Sequence, residues 1–341
     1  MSRLAVPCVM TRRAHTERRH CIYNPAMPIA SVLVPMRNAA PYVRAALDSL
    51  LQEDLDVEIL VIDDHSTDAS AAVVRAYGDR RVSMIGGPAR GIAAALNAGL
   101  AQARAPLLMR CDADDLYPAG RLRRQLRWMQ DNPHFGALCG GFSAIDSRGR
   151  LVAELPTGSQ PEELTAELRE GITRTTLCAF VLRTELVRRM GGFREYFVTA
   201  EDIDLQLRLA RHARVMYLPG DCYRYRLHAG SITHTQARTQ RLHYEQVARQ
   251  LQRTRRADGR DDLDLGGGQG LVVPAATAPD GATPHILGFI EGAAWAAHAQ
   301  GRKLDALRIG LRALRYQRWR VSAWRTLLAL ALKPDRPAAP A

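Results

Sequence analysis

Four groups of residues in this chain have the types and spacing to do chemistry. Asp112, Asp114 and Asp115 put three carboxylates within four positions. At neutral pH they repel one another, and gathering them calls for a compensating cation. Hard carboxylate oxygens suit Mg²⁺ or Mn²⁺, usually shared with substrate phosphates. A solvated acidic turn leading into a helix opened by Pro118 is the alternative. Asp63-Asp64 could accept hydrogen bonds from a base or a ribose, or could simply cap a turn. Glu201-Asp202 stands where a helix is predicted to begin. Acid–base work there requires desolvation or a nearby like charge to raise a carboxyl pKa; the alternative is a plain helix-dipole contact. His228, following Tyr225-Arg226-Leu227, could complete a metal site beside a carboxylate. Arg224 and Arg226 have guanidinium forks that match phosphate oxygens, or they belong to an exposed strand face.

These residues need elements to hold them. Apolar runs at 29–34, 57–62, 82–85 and 106–109 read as strands. Between them, Val43, Ala46, Leu47, Leu50 and Leu51 recur at helical spacing after Pro41, Ser66 or Thr67 can cap a helix, and 91–102 is helical with Ile92, Ala95, Leu96, Gly99 and Leu100 on one face. Strand and helix alternate four times, which predicts a mainly parallel sheet with helices on both faces. Ligands of such sheets bind beyond the carboxyl ends of the strands, where 63–64 and 112–115 both fall. Further on, 136–152 reads as a hairpin turning at Ser147-Arg148-Gly149. Strands are predicted at 178–182, 215–218 and 221–227, and a helix at 201–212. A basic helix is predicted over 235–256, a Gly/Asp/Pro/Ala-rich flexible linker over 257–285, amphipathic helices over 286–333 and a frayed Pro/Ala tail over 334–341.

Composition bounds the function. The 341 residues carry 47 Lys+Arg against 35 Asp+Glu, a formal charge of +12, with 47% hydrophobic residues. That is an ordinary apolar fraction for a globular chain. There is no stretch of about 18 consecutive apolar residues, the length a spanning helix requires. The six cysteines contain no C-x-x-C pair and fit no zinc spacing, so they read as small buried hydrophobes of a reducing, cytoplasmic setting. Residues 1–26 are Arg-rich without a signal-peptide core. They are expected to be a disordered extension, with Met27 a candidate start. Lys303 and Lys333 are the only lysines. The string Ile59-Leu60-Val61-Ile62-Asp63-Asp64-His65 looks like a phosphate-accepting receiver pocket, but that chemistry needs a lysine on a later strand. The arginine-rich helices lack the interleaved aromatics of a nucleic-acid stacking platform, so no nucleic-acid partner is expected. Leu304, Leu307, Ile309, Leu311 and Leu314 alternate with arginines. They fit either a helix packed on the sheet-containing domain or a membrane-surface helix with Trp319 and Trp324 at the interface.

In order along the chain stand S-V-L-V-P-M-R-N (31–38), V-I-D-D-H-S-T-D (61–68), G-I-A-A-A-L-N-A-G-L (91–100), R-C-D-A-D-D (110–115), G-G-F (191–193), E-D-I-D-L-Q-L-R-L (201–209) and Y-R-L-H-A-G-S-I-T (225–233). This ordered set resembles the family 2 glycosyltransferases of the GT-A fold over about residues 28–232. The resemblance implies an α/β, Rossmann-like, mixed and mainly parallel sheet with a C-terminal helical extension. Residues 27–234 would form the catalytic domain, 27–115 its nucleotide-sugar half and 116–234 its acceptor half. It implies sugar transfer from a nucleotide-diphosphate donor to an acceptor hydroxyl with inversion, assisted by Mn²⁺ or Mg²⁺.

Carried over residue by residue, Asp64, Asp63 and Pro35, with Arg37 and Asn38, would meet the nucleotide. Asn97 would border its pocket. Asp112, Asp114 and Asp115 would share ribose and metal, and His228 would reach the metal or diphosphate. Asp202 would be the general base, with Glu201 beside it. Many relatives carry Arg where this chain has Leu96. A subset that includes many exopolysaccharide and lipopolysaccharide enzymes looks like this chain there and also has Arg before the D-x-D, as Arg110 is here. The expected reading is bacterial surface-glycan biosynthesis, with a UDP-sugar by default, a glycan or lipid-linked acceptor, and a peripheral place on the inner face of the plasma membrane. The rivals are a non-catalytic sugar-nucleotide-binding subunit, in which intact Asp112, Asp114 and Asp202 would be unnecessary, and a nucleotidyltransferase, which would not need Asp202.

Overall fold

A computed structural model describes residues 27–155, 157–228, 230–231, 238–267, 282–317, 319 and 321–334. The expectations for 1–26 and for most of the tail lie outside the described residues. The first half is built as expected. Strands β1 (Ala30–Met36), β2 (Val57–Asp63), β3 (Val82–Gly86) and β4 (Leu107–Arg110) pair in parallel in the order β3-β2-β1-β4. Helices α1 (Val43–Leu51), α2 (Ser70–Arg75) and α3 (Ile92–Gln102) connect them. Every residue of β1 is buried, because both faces of a parallel sheet are covered. Alternate side chains divide between two cores. Val32 and Val34 join Val43, Leu47 and Leu50 of α1, whereas Leu33, Leu60 and Ile62 join Leu96 and Leu100 of α3.

Gly99 sets how closely α3 approaches the sheet. A Cβ there would stand 2.9 Å from both Ile62 Cδ1 and Leu33 Cδ2. Overpacking of this kind costs about 1–3 kcal/mol, and the helix propensity of Ala returns about 1 kcal/mol. Gly99→Ala is therefore expected to lower the urea midpoint by the equivalent of about 1 kcal/mol. An unchanged or higher midpoint would mean that α3 has room to shift.

The second half follows as α4 (Arg121–Asp131), β5 (Phe135–Asp146), β6 (Leu151–Leu155), β7 (Glu162–Glu163), α5 (Thr165–Arg169), β8 (Val181–Arg183), α6 (Thr184–Arg189), α7 (Glu201–His212) and β9 (Arg214–Leu227). The sheet continues β4-β8-β5-β9-β7, with β6 on β5. β8 runs antiparallel to both β4 and β5, and β9 runs parallel to β5. The sheet is thus mixed, with helices packed on it.

Four local expectations are corrected. The strand predicted at 178–182 is a 3₁₀ turn, Leu177–Ala179, followed by the short β8. The two strands expected at 215–218 and 221–227 are one bent strand, β9, whose register against β5 shifts around Gly141. Pro219-Gly220 makes a bulge there, with Gly220 at φ 121°, and does not end the strand. Helix α2 begins at Ser70, where Asp68 accepts the Ser70 backbone N–H at 2.9 Å; neither Ser66 nor Thr67 caps it. The last correction concerns 257–267, expected within a flexible linker. Asp261 there is fully buried.

Asp261 belongs to a buried ionic cluster that fixes α7. Helix α8 (Arg238–Asp258) packs against α7 and brings Arg255 to Asp261 and to Asp204, the latter at 3.5 Å. Arg194 reaches Asp261 at 2.8 Å and Asp204 at 3.4 Å, and Arg208 Nε donates to Asp204 Oδ2 at 2.8 Å. Asp264 adds a third carboxylate at Arg194, so three carboxylates face three guanidiniums and neither sign is left unpaired. The acid at 204 thereby anchors the helix whose first turn carries Glu201 and Asp202.

Helices α9 (Ala282–Ala299), α10 (Lys303–Gln317) and α11 (Val321–Leu332) form the C-terminal extension. Ile286, Leu287 and Ile290 pack on Ala144, Val152, Ala153 and Leu227, which seats the extension on the β5–β6 hairpin and the end of β9. No helix among the described residues is long and apolar enough to cross a membrane.

Candidate functional site

A cavity of about 590 Å³ opens beyond the carboxyl ends of β1, β2 and β4. Pro35, Arg37 and Asn38 reach it from β1, Asp64 from β2, Asp112 and Asp114 from the segment after β4, and His228 from the end of β9. Seven of the residues singled out in the sequence thus share one wall.

The loops under them are tied to each other. Asn38 is left-handed at φ 54°; its N–H donates to Ser66 Oγ at 3.0 Å and its Oδ1 accepts the Thr67 N–H at 2.8 Å. Asp64 is buried and accepts the Ala89 N–H at 2.7 Å. Gly87 lies so close that a Cβ would stand 2.6 Å from Asp64 Oδ1. Ala89 and Ala200 are also left-handed, at φ 58° and 66°. Such conformations at non-glycine residues cost on the order of 1–3 kcal/mol and persist where surroundings over-determine them. Ala200 immediately precedes α7, and its left-handed turn starts that helix.

Arg110 connects the halves. Its Nε and Nη2 grip Asp112 Oδ1 and Oδ2 at 2.7 and 3.1 Å, and its Nη1 donates to Glu201 Oε1 at 2.9 Å. The guanidinium is buried with Glu201, so one cation balances carboxylates from β4's end and α7's start. Burial pushes the Glu201 carboxyl up to about 7, with Arg110 opposing and Asp202 adding to the rise. Burial also raises Asp202, again against Arg110. These are the desolvated carboxyls that acid–base work requires. Neither lines the cavity; both stand behind it, at the first turn of α7.

Asp114 and His228 form a second pair, Oδ2 to Nε2 at 2.8 Å. The His228 ring packs 4.5 Å from that of Tyr42. No group of three His, Cys, Asp or Glu side chains arranged for a metal occurs among the described residues. A Mg²⁺-type cation does not need one, since it is commonly held by one or two protein ligands plus substrate phosphates. A carboxylate and an imidazole side by side on the cavity wall are donors compatible with such a cation.

Four of the predicted residues make their side-chain contacts with the protein itself. Asp115 is buried; its oxygens accept Tyr223 Oη–H at 2.5 Å and the Arg226 N–H at 2.6 Å. It braces the turn, and burial, with Asp114 and Asp112, pushes its carboxyl up. Asp63 accepts the Ser66 N–H at 3.1 Å and shapes the turn outside the cavity wall. Asn97 also lies outside that wall. Its amide exchanges two hydrogen bonds with the Phe193 backbone, at 2.7 and 2.8 Å, so it holds the Gly191-Gly192-Phe193 loop. Arg226 spends its guanidinium on the main-chain oxygens of Asp114, Asp146 and Ser147. Sequence reasoning passed over Tyr42, which lines the cavity, and Tyr223, whose hydroxyl also accepts the Asp112 N–H at 3.1 Å. No spacing marks either tyrosine.

Asn97→Ala leaves two buried-loop backbone groups without partners, at about 1–3 kcal/mol for an unsatisfied group. The expected result is a lower melting temperature with nucleotide affinity unchanged. Loss of affinity at unaltered stability would return Asn97 to the nucleotide site.

Residues 31–197 match the family Glycosyl transferase family 2. The uncharacterized glycosyltransferase EpsJ of Bacillus subtilis (strain 168) is 28% identical over 218 residues, 61% of this chain and 63% of that protein. The crystal structure of S. aureus TarS 1–349 in complex with UDP-GlcNAc superposes with a TM-score of 0.54 at 18% identity, over 89% of this chain and 91% of that one. The mannosyltransferase PcManGT of Pyrobaculum calidifontis, in complex with GDP-Man and Mn²⁺, superposes with a TM-score of 0.51 at 23% identity, over 90% of this chain and 87% of that one. Residues 31–197 of this chain thus belong to glycosyltransferase family 2, and the shared sheet shows the GT-A fold.

Proposed function

We propose that the protein transfers a sugar, with inversion, from a nucleotide-diphosphate donor to an acceptor hydroxyl in the assembly of a bacterial surface glycan. One observation carries this reading: Arg110 joins the aspartate at the cavity wall to the helix that starts with two desolvated carboxyls. Donor site and base are thereby built as one unit. The solved neighbours support the donor class, since one holds UDP-GlcNAc and the other GDP-Man with Mn²⁺.

In this reading Asp64 and Asp112 accept hydrogen bonds from the base and ribose, beside Pro35, Arg37 and Asn38. Asp114 and His228 would hold a divalent cation. When bound, that cation supplies Lewis-acid stabilisation of the charge that develops on the leaving diphosphate. Asp202 takes the proton of the acceptor hydroxyl, whose oxygen attacks the anomeric carbon from the face opposite the diphosphate. The anomeric C–O bond breaks with its electron pair passing to the diphosphate oxygen, which gives inversion in a single displacement, by analogy with inverting sugar hydrolysis. UDP is the default nucleotide, the acceptor is a glycan or a lipid-linked sugar, and the enzyme works in the cytoplasm at the inner membrane face.

Thermal stabilisation by UDP, GDP, dTDP and their sugars, with and without Mn²⁺, tests the donor site. A ligand at about 100 times its Kd adds about 2.7 kcal/mol. One nucleotide should raise the melting temperature in a Mn²⁺-dependent way, and Asp114→Asn should abolish the Mn²⁺ dependence. A nucleotide shift indifferent to Mn²⁺ and to Asp114→Asn would overturn the metal assignment.

A further inference from the structure

We propose that the outer face of α11 is a docking surface for an anionic lipid bilayer. Val321, Trp324, Leu328 and Leu332 recur at helical spacing on one face and are 71%, 54%, 60% and 73% exposed. The opposite face, Ala323, Leu327 and Leu330, is buried against the rest of the protein. The helix is therefore apolar on both sides, a pattern expected of a helix covered on both, yet one of them stays largely exposed among the described residues. Trp319, between α10 and α11, is 84% exposed, and Leu304 and Leu311 of α10 are 72% and 53% exposed.

Charge decides between candidate covers. From residue 301 to 334 the chain has nine Lys or Arg and one acidic residue, Asp305. Asp305 is engaged by Arg302 and Arg308, at 3.6 and 3.3 Å. A second copy of this chain meeting α11 symmetrically would bring this positively charged segment against itself. A bilayer containing anionic lipid would receive the apolar stripe and complement the net positive charge of the segment that carries it. Trp at the rim of the stripe suits the headgroup level.

Docking there would also orient the cavity. The extension is packed on the β5–β6 hairpin, and Phe289 of α9 lies 6.0 Å, ring to ring, from Tyr225, which lines the cavity. The inference concerns the extension alone and stands whether or not the proposed reaction is correct.

The test is co-sedimentation of the full chain with vesicles of equimolar phosphatidylglycerol and phosphatidylcholine, against pure phosphatidylcholine vesicles. Binding is expected with the anionic vesicles, weakened about tenfold or more by raised salt or by omitting phosphatidylglycerol. Leu328→Glu/Leu332→Glu should lose the binding by a similar factor while its melting temperature stays within a few degrees. A measurement free of folding effects uses the unmodified protein, whose tryptophan emission should be quenched by brominated-acyl phosphatidylglycerol. Absence of both sedimentation and quenching overturns the proposal, as does equal binding to neutral vesicles. Undiminished binding in the folded double variant would overturn the assignment to α11, and so would a dimer in lipid-free solution that this variant dissociates.

Discussion

Asp202→Asn should lower kcat by about 10²–10⁴-fold, the range for loss of a general base, and leave the Kd for the donor nucleotide within about twofold. Asn keeps the volume and the hydrogen-bonding outline of Asp, so the first turn of α7 stays in place. What it removes is the ability to take a proton. Glu201→Gln is the informative companion, because Glu201 is bound to Arg110 at 2.9 Å and is placed to orient its neighbours. Its kcat should fall much less. If instead Asp202→Asn retained kcat within about tenfold of the parent while Glu201→Gln lost it, the base assignment would pass from Asp202 to Glu201. The acid limb of the rate profile offers a second check. Burial raises Asp202 above the ordinary carboxylate range, and only its ionised form can accept a proton. Activity should therefore climb with pH through a midpoint above the usual 3.8.

The parts of this fold that can be read from sequence are those fixed by local burial. Strands β1, β2 and β4 are buried and mostly apolar because helices cover both faces of the sheet there, and the edge strand β3 keeps enough of the pattern to be read. Their ends therefore locate Asp64 and Asp112 without any tertiary information. The direction of each carboxylate is a different matter. Asp112, Asp114 and Asp115 are chemically equivalent along the chain, and their roles are divided by Arg110, His228 and Tyr223. Two of these partners come from the far end of β9, more than 100 positions away. Asn97 and Arg226 illustrate the same limit. Each has the chemistry of a ligand-binding side chain and is spent on main-chain atoms of a distant loop. Pro219-Gly220 misleads for a local reason, since a breaker pair and a bulge look alike until the partner strand is known. The packing of 258–264 was hidden in turn because a Gly/Asp-rich composition gives no sign of Arg255 on α8 and Arg194 in the 190–194 loop, which pair with the buried Asp261.

The largest combined effect is expected at Arg110. Arg110→Gln removes the cation shared by Asp112 and Glu201 while keeping a hydrogen-bonding side chain of similar reach. Breaking a buried ion pair from one side typically costs about 3–5 kcal/mol, because the remaining charge is left uncompensated. The cost should depend on pH, and its sign follows from Glu201. With Arg110 present, the Glu201 carboxyl is already up at about 7 against an ordinary 4.5. Its protonated form is thus favoured by folding, and the associated stability is present below pH 4.5 and lost as pH rises through 7. Without the guanidinium, the folded carboxyl moves higher still. The variant should then lose less at about pH 5, where Glu201 is protonated in the fold and Asp112 alone is left without its cation, and most of the 3–5 kcal/mol at about pH 8. Urea unfolding at the two pH values reads this directly. Catalysis should respond in the same direction, because Arg110 also holds Asp202 down. The acid limb should shift to higher pH in the variant, by an amount that Lys at 110 partly restores. A Gln variant equally destabilised at both pH values, with its rate profile unmoved, would show that Arg110 acts through packing alone and that the cavity wall and α7 are not joined electrostatically.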